Sequence, residues 1–342
     1  MTAPARPRLG RRLFGWMAAA VLLAVLAEGV ARFHLPATGV TPFCAPRLDG
    51  PPADLRPNFE TVYSGVPVRT NAEGLRGGPL LPRDPGRLRV AIVGDSFAFG
   101  SGVREEHTLA AQLEAALLEL GQPAEVLNFG VPGYNATDAV QVALERALPL
   151  EPDAVVYLFF ANDVDPPLPR ADPDPDGVIE PRRGYFLGSA ALQWFFLRAK
   201  NLAIELGVDA NRSSREYKRQ ALDEGGRERL FAALDLFAER VATGGRTTCV
   251  VLYPFLTPPF ANAFEPVDDL LRDAAGERGL DLLDLAPLLT HSGRPHGLWA
   301  NAFDSHPGPE ANRRAARALA ERLLRRRGDR DAAGLGTGAG AR

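Results

Sequence analysis

The chain has 342 residues, enough for one large domain or two small ones. Hydrophobic residues make up 46% and charged residues 24%, ordinary for a folded globular protein. A net charge of −3 gives no sign of a nucleic-acid partner, since a duplex binder needs a basic face to neutralise phosphates. The two cysteines, Cys44 and Cys249, stand outside any Cys-x-x-Cys pair, which argues against a structural zinc site.

Residues 1–12 form a basic segment carrying Arg6, Arg8, Arg11 and Arg12. An apolar run from Leu13 to Ala27 follows; Glu28 and Arg32 interrupt it before Phe33. A basic start followed by an apolar stretch marks an export signal. Fifteen clean residues suit a cleaved signal-peptide core ending at Val25-Leu26-Ala27. Extended over 13–33, the segment reaches 21 residues and spans a bilayer, and an uncleaved transmembrane signal-anchor is the favoured reading. The arginines lie before the span, so the positive-inside rule sets the rest outside the cytoplasm. The expectation is a single-pass inner-membrane protein with its catalytic domain on the periplasmic side. In that compartment a Cys44–Cys249 disulfide is one option; two small buried hydrophobes are the other.

Residues 34–87 are rich in Pro, Gly and Arg; 34–69 read as a linker, with an extended hairpin around Phe59 to Arg69. From Leu88 the pattern changes. Leu88 to Val93 is a buried-strand run ending at Gly94. Thr108 to Leu120 has helical spacing and stops at Gly121. Val126, Leu127 and Phe129 mark a second strand, Asp138 to Leu148 a helix, and Ala154 to Phe160 a third strand. Residues 165–205 read as an insertion or lid: periodicity is lost over 165–188, then an aromatic helix carries Trp194, Phe195 and Phe196. A long helix over Arg215 to Ala242, a strand over Thr247 to Tyr253, a helix over Val267 to Arg278, a strand over Leu280 to Leu285 and a last helix over Glu310 to Arg326 complete the pattern. Residues 328–342 read as a disordered tail. Alternating strands and helices predict a three-layer α/β/α domain over 70–327 with a five-stranded, mainly parallel sheet of flavodoxin-like type. Ligands in such sheets bind beyond the carboxyl ends of the strands.

Four short segments fall where a site should form. Gly94-Asp95-Ser96 ends the first strand and carries a candidate nucleophile. Asn128 to Gly133 follows the second strand, and Gly133 lets the backbone approach a ligand and offer an N–H. Phe160-Ala161-Asn162-Asp163 follows the third strand and supplies an amide. Asp304-Ser305-His306 precedes the last helix, a carboxylate two residues from the imidazole it can orient. Acyl transfer requires this set: a nucleophile, an oriented base, and donors for a developing oxyanion. Each segment alone is a weak signal, and their order makes the joint signal strong.

The four segments resemble the consensus blocks of the SGNH (GDSL-type) hydrolase superfamily. Upstream, Thr70-Asn71-Ala72-Glu73-Gly74-Leu75-Arg76-Gly77 is similar to a segment that precedes the first block in anchored bacterial members. The resemblance implies Ser96 as nucleophile, His306 as base and Asp304 behind it. It implies an oxyanion hole from the Ser96 N–H, the Gly133 N–H and the Asn162 amide. Two positions depart from the family pattern: Phe160 stands where a glycine is usual, and Phe97 where a leucine is usual. Phe160 is then expected to narrow the pocket.

Rival patterns fail locally. Ser96 is followed by Phe97-Ala98, not the Gly-x-Ser-x-Gly of an α/β-hydrolase elbow, and Gly94-Asp95-Ser96 lacks a dinucleotide fingerprint. Asp172, Asp174 and Asp176 imitate a calcium loop, but Arg183 stands where a glutamate is needed. His291 and His296 give a weak metal signal. No metal and no cofactor are expected. Phe160, Asp163, Trp194 and Phe195 are the candidate substrate contacts. The last helix's arginines read as a solvated face or a contact to anionic lipid.

The resemblance implies an ester hydrolase acting on O-acyl, foremost O-acetyl, groups of a cell-envelope or carbohydrate substrate, held to the membrane by its N-terminal helix. The same residues serve an O-acyltransferase that modifies an envelope polysaccharide with acyl-transfer partners in the envelope. An inactive glycan-binding envelope protein is the alternative outside enzymology, and a phospholipase or thioesterase role is also open.

Overall fold

A computed structural model describes residues 8–34, 44–46, 51, 53–167, 189–205, 212–243, 245–256, 264–290, 297–301 and 304–332. In chain order the elements are α1 (Arg8–His34), β1 (Cys44–Pro46), β2 (Ala53–Leu55), β3 (Glu60–Tyr63), β4 (Val66–Arg69), β5 (Leu88–Gly94), α2 (Ser96–Phe99), α3 (Leu109–Glu119), β6 (Ala124–Asn128), α4 (Ala136–Val142), β7 (Ala154–Phe159), α5 (Ala190–Glu205), α6 (Arg212–Ala221), α7 (Arg227–Leu236), β8 (Thr247–Leu252), α8 (Glu265–Glu277), β9 (Leu282–Asp284), α9 (Ala286–Leu289), β10 (Trp299–Asn301), β11 (Asp304–Pro307) and α10 (Pro309–Ala332).

Five strands form one parallel sheet in the order β6-β5-β7-β8-β9. Every residue of β5 and β7 is buried. That explains why β7 reads as an unbroken apolar run and β5 as one broken only by Arg89: helices cover both faces, so no position faces water. Each fully buried Val, Leu, Ile or Phe contributes about 1.5–3 kcal/mol. The two charges in this stretch are paired: Arg89 Nε meets Glu125 Oε2 at 2.8 Å across β5 and β6. The chain leaves β5 for β6 on one side and reaches β7 on the other, so the crevice beyond β5 and β7 is the topological switch point where open α/β sheets bind ligands.

Several elements differ from the sequence expectation. The helix expected over Arg215 to Ala242 is broken: Glu224 and Gly225 leave helical geometry, with Gly225 at φ 89°. The Gly225-Gly226 pair supplies the bend. The last helix runs on to Ala332, past the expected start of a disordered tail. Arg330 in that extension meets Thr247, one turn beyond the ion pairs from Arg322 and Arg326 to Asp281. Part of the stretch read as linker joins the core through buried Cys44, Leu55 and Val68. Cys44 and Cys249 are both buried thiols and do not form a disulfide.

The N-terminal segment is helical, as its composition demands. Among the described residues, however, no helix is long and apolar enough to cross a membrane. The structure therefore supplies the helix but not the span expected over 13–33. Large apolar side chains along α1, Trp16, Met17, Leu22, Leu23 and Leu26 among them, are exposed.

Candidate active site

Ser96 is the first residue of α2, directly beyond the carboxyl end of β5. Asp95 caps this turn: its Oδ1 accepts from the Phe97 N–H at 2.8 Å. Aspartate is favoured at a helix N-cap for this reason. Gly100, in the left-handed region, ends the turn after four residues.

The turn is braced from two sides. Arg76 is buried and donates to the carbonyls of Phe99 at 3.0 Å, Gly100 at 2.6 Å and Val103 at 2.6 Å. Burial lowers its pKa to about 10, against the pull of Glu105 and Glu106, so it stays charged at neutral pH. This is the physical role of the upstream 70–77 segment: it clamps the chain that follows the nucleophile. From the other side, Gly130 lies so close that a Cβ there would meet the Phe99 nitrogen at 2.2 Å. Three residues on, Gly133 sits at φ 89°, a conformation that disfavours any side chain.

Asp304 and His306 lie on β11, which pairs antiparallel with β10. Residues two apart on a strand share a face, so the carboxylate and imidazole point the same way. Asp304 Oδ1 meets His306 Nδ1 at 2.5 Å and also accepts from the His306 backbone N–H at 3.0 Å. His306 Nε2 lies 2.9 Å from Ser96 Oγ. The second nitrogen accepts when Nδ1 holds its proton toward Asp304. Burial disfavours the imidazolium, but the hydrogen bond and charge of Asp304, aided by Asp95, outweigh it and raise the His306 pKa. Burial likewise works against the Asp304 carboxylate, and His306 overcomes it to lower that pKa.

Asn162 follows β7, on the far side of Ser96 from β6. Its amide is hydrogen-bonded to Asp95. Asp95, fully buried, thus joins three groups: the Phe97 N–H, the Ser96 hydroxyl at 3.3 Å and the Asn162 amide. Desolvation raises its pKa, offset in part by these partners. Asp163 is held in the core. It is buried and accepts from the Tyr157 hydroxyl at 2.6 Å; desolvation, then the nearby Asp95 charge, push its pKa well up.

Phe97 and Phe160 meet beside the imidazole. Phe97 lies 5.3 Å from the His306 ring, and Phe160 leads on to Phe255 and Phe264 at 6.3 Å and 5.8 Å. Phe195 behaves differently. It is exposed on α5, a helix that packs against α1, so that position gives no support to substrate contact. The Trp194 side chain, the Asp172–Asp176 run with Arg183, and His291 and His296 lie outside the described residues. Among the described residues, no cluster of three or more His, Cys, Asp or Glu could hold a metal ion.

Residues 92–314 match the GDSL-like lipase/acylhydrolase family. The chain belongs to that family. It is accordingly a hydrolase of ester bonds within the SGNH superfamily. Among solved structures, the chain is similar to a lipase/acylhydrolase from Enterococcus faecalis, at 15% identity and TM-score 0.43, over 70% of this chain and 96% of that one. It is also similar to an acetylxylan esterase from Geobacillus stearothermophilus, at 14% identity and TM-score 0.43, over 69% of this chain and 94% of that one. No curated protein matches the chain.

Asp95 escaped sequence reasoning although its signal was present. A Gly-Asp-Ser turn at a strand-to-helix junction is an N-cap pattern, and the cap residue is the natural link to the next strand end. The contacts of Phe97 with Phe160 and His306 carried no such signal, because they join residues far apart in the chain.

Proposed function

We propose that the protein is a serine esterase in which Ser96 is the nucleophile, His306 the general base and Asp304 the group that orients it. The observation that carries this reading is the continuous chain from Asp304 Oδ1 through the imidazole to Ser96 Oγ, at 2.5 Å and 2.9 Å. His306 takes the Ser96 proton as Oγ attacks the ester carbonyl carbon. The oxyanion that forms is received by the Ser96 N–H, the Gly133 N–H and the Asn162 amide; one such donor is worth about a hundredfold or more in rate. Collapse returns the proton from His306 to the departing alcohol and leaves an acyl-Ser96 ester. Water, deprotonated by the same imidazole, releases the acid and restores Ser96.

The substrate in this reading is an O-acyl, foremost O-acetyl, ester on a cell-envelope carbohydrate. The aromatic wall of Phe97 and Phe160 beside His306 supports a short acyl group. The carbohydrate half rests on the resemblance to exported, tethered members of the superfamily. The enzyme works on the outer side of the cytoplasmic membrane, held there by α1. The arginines ahead of the apolar helix and its exposed side chains support that location.

The test is turnover of p-nitrophenyl acetate, butyrate and octanoate by the full chain beside Ser96→Ala. Activity on acetate that vanishes in the variant supports the reading. A folded protein with no turnover until a sugar acceptor is added would replace hydrolysis by acyl transfer.

A further inference from the structure

The helix α5 is tied to α1 by one carboxylate. Glu28 Oε2 accepts from the Ser189 hydroxyl at 2.8 Å and from the Ala191 N–H at 3.0 Å. Ser189 in turn accepts from the Leu192 N–H at 3.2 Å. The first turn of α5 is therefore capped partly by its own serine and partly by a glutamate on another helix, where negative charge is favoured. Beyond this junction α1 is bare: residues 15–27 are exposed at every position, and Ala31 is buried.

Among the described residues, the exposed apolar side chains of α5 are not scattered. Leu192, Phe195, Phe196, Ala199 and Leu202 are all exposed, at helical spacings that set them on one stripe. A stripe of this kind needs a cover, since exposed apolar patches of this sort mark interaction surfaces. The covering phase is indicated by α1. Its apolar residues, Met17, Leu22, Leu23 and Leu26 among them, lie on all sides of the helix, whereas a protein partner covers one face. Only a surrounding apolar phase satisfies all sides at once. The basic segment that leads into and begins that helix, with Arg6, Arg8, Arg11 and Arg12, complements anionic lipid headgroups.

We propose that α5 is a second lipid-facing helix, which lays its Leu192–Phe195–Phe196–Leu202 stripe into the membrane surface, with Glu28 fixing its first turn to α1. The proposal rests on the reading that α1 is held at the membrane, and extends it. The membrane then contacts the enzyme through two helices, one of them in the insertion that follows Asn162. The hydrolase domain is kept at the bilayer surface instead of swinging on a free tether.

The test uses the full chain in vesicles of equal phosphatidylglycerol and phosphatidylcholine. Single cysteines are placed as Leu22→Cys, Phe195→Cys and Val62→Cys, each carrying an environment-sensitive fluorophore. Native Cys44 and Cys249 are buried and stay unlabelled in the folded chain. Val62 is an exposed apolar residue on β3 and serves as the aqueous control. The expected result is a blue shift at positions 22 and 195, quenching there by nitroxide-bearing lipid, and quenching by iodide at 62 alone. Glu28→Ala should return position 195 toward iodide quenching while position 22 stays in lipid. Iodide quenching at 195 with position 22 in lipid would overturn the proposal and leave the tether standing. Iodide quenching at both would remove the tether as well. Protection of 195 from both quenchers would assign the stripe to a protein partner or a second copy, and would overturn the proposal too.

Discussion

Phe97 and Phe160 are stacked, with ring centroids 3.8 Å apart and planes 18° from parallel. The two positions that depart from the family pattern are thus one feature: each ring fills the space that the other's bulk requires. Phe97 also leans on Tyr253 at 5.4 Å, so the pair is fixed from behind. In the proposed esterase, a wall of this rigidity beside His306 would limit the length of the acyl group. Phe160→Val should open it while sparing the fold. The ratio of kcat/KM for butyrate over acetate is expected to rise by roughly tenfold, the scale of one or two methylenes in an apolar pocket. An unchanged ratio in a folded variant would move the acyl group away from these rings.

The His306 imidazole is raised in pKa by Asp304, after burial has pulled the other way. Attack by Ser96 needs the neutral ring, so the acid limb of kcat/KM should lie above the value of about 6.5 for a free imidazole. Asp304→Asn removes the charge that holds the proton. The limb should shift to lower pH, and kcat should fall by about 10³–10⁴ as the ring loses its tautomer and orientation. Loss of rate with an unmoved limb would mean that a different group titrates.

Much of this site was legible in the sequence, for a physical reason. Ser96 follows β5 after one residue, and Gly133 and Asn162 lie in the turns beyond β6 and β7; the ends of those strands are announced locally where their apolar runs stop. Asp304 and His306 are two apart on a strand, so their pairing is also local. What stayed hidden was packing between distant segments: Phe97 on Phe160, Arg76 under the nucleophile turn, Tyr157 on Asp163. The fold was read equally well where a run was fully buried, as in β5 and β7. It was read less well where the cause of an ending is tertiary. The last helix outruns its expected end where Arg330 meets Thr247 on β8, one turn beyond the Arg322 and Arg326 pairs to Asp281 just ahead of β9.

Arg76 donates to three carbonyls of the loop that follows Ser96, and its guanidinium lies 4.6 Å from the centre of the Phe99 ring. Arg76→Met would leave these buried acceptors without a charged donor. Each unsatisfied group costs about 1–3 kcal/mol, so a loss of at least about 3 kcal/mol is expected in urea unfolding. Lysine cannot span three carbonyls in fork geometry, so Arg76→Lys should recover only part of it. In whatever folded fraction remains, kcat should fall more than KM rises, because the displaced element is the nucleophile turn. A neutral effect on stability would refute the clamp.

Asp163 accepts from Tyr157 in the core, and burial, reinforced by Asp95, holds its pKa well above that of a free carboxyl. The native state therefore keeps a proton that the unfolded chain gives up near pH 4. Between that pH and the raised native value the folded form binds more protons, so this group's contribution to stability is full at low pH and falls as pH rises. Asp163→Asn keeps an acceptor for Tyr157 and cannot ionise. Its stability relative to the parent should rise steadily from about pH 4 toward neutrality, as measured by urea unfolding at a series of pH values. Asp163→Ala leaves the Tyr157 hydroxyl without its acceptor and should be less stable than Asp163→Asn by about 1–3 kcal/mol at every pH. A parent and Asn variant with parallel pH profiles would mean that Asp163 is ionised in the folded protein.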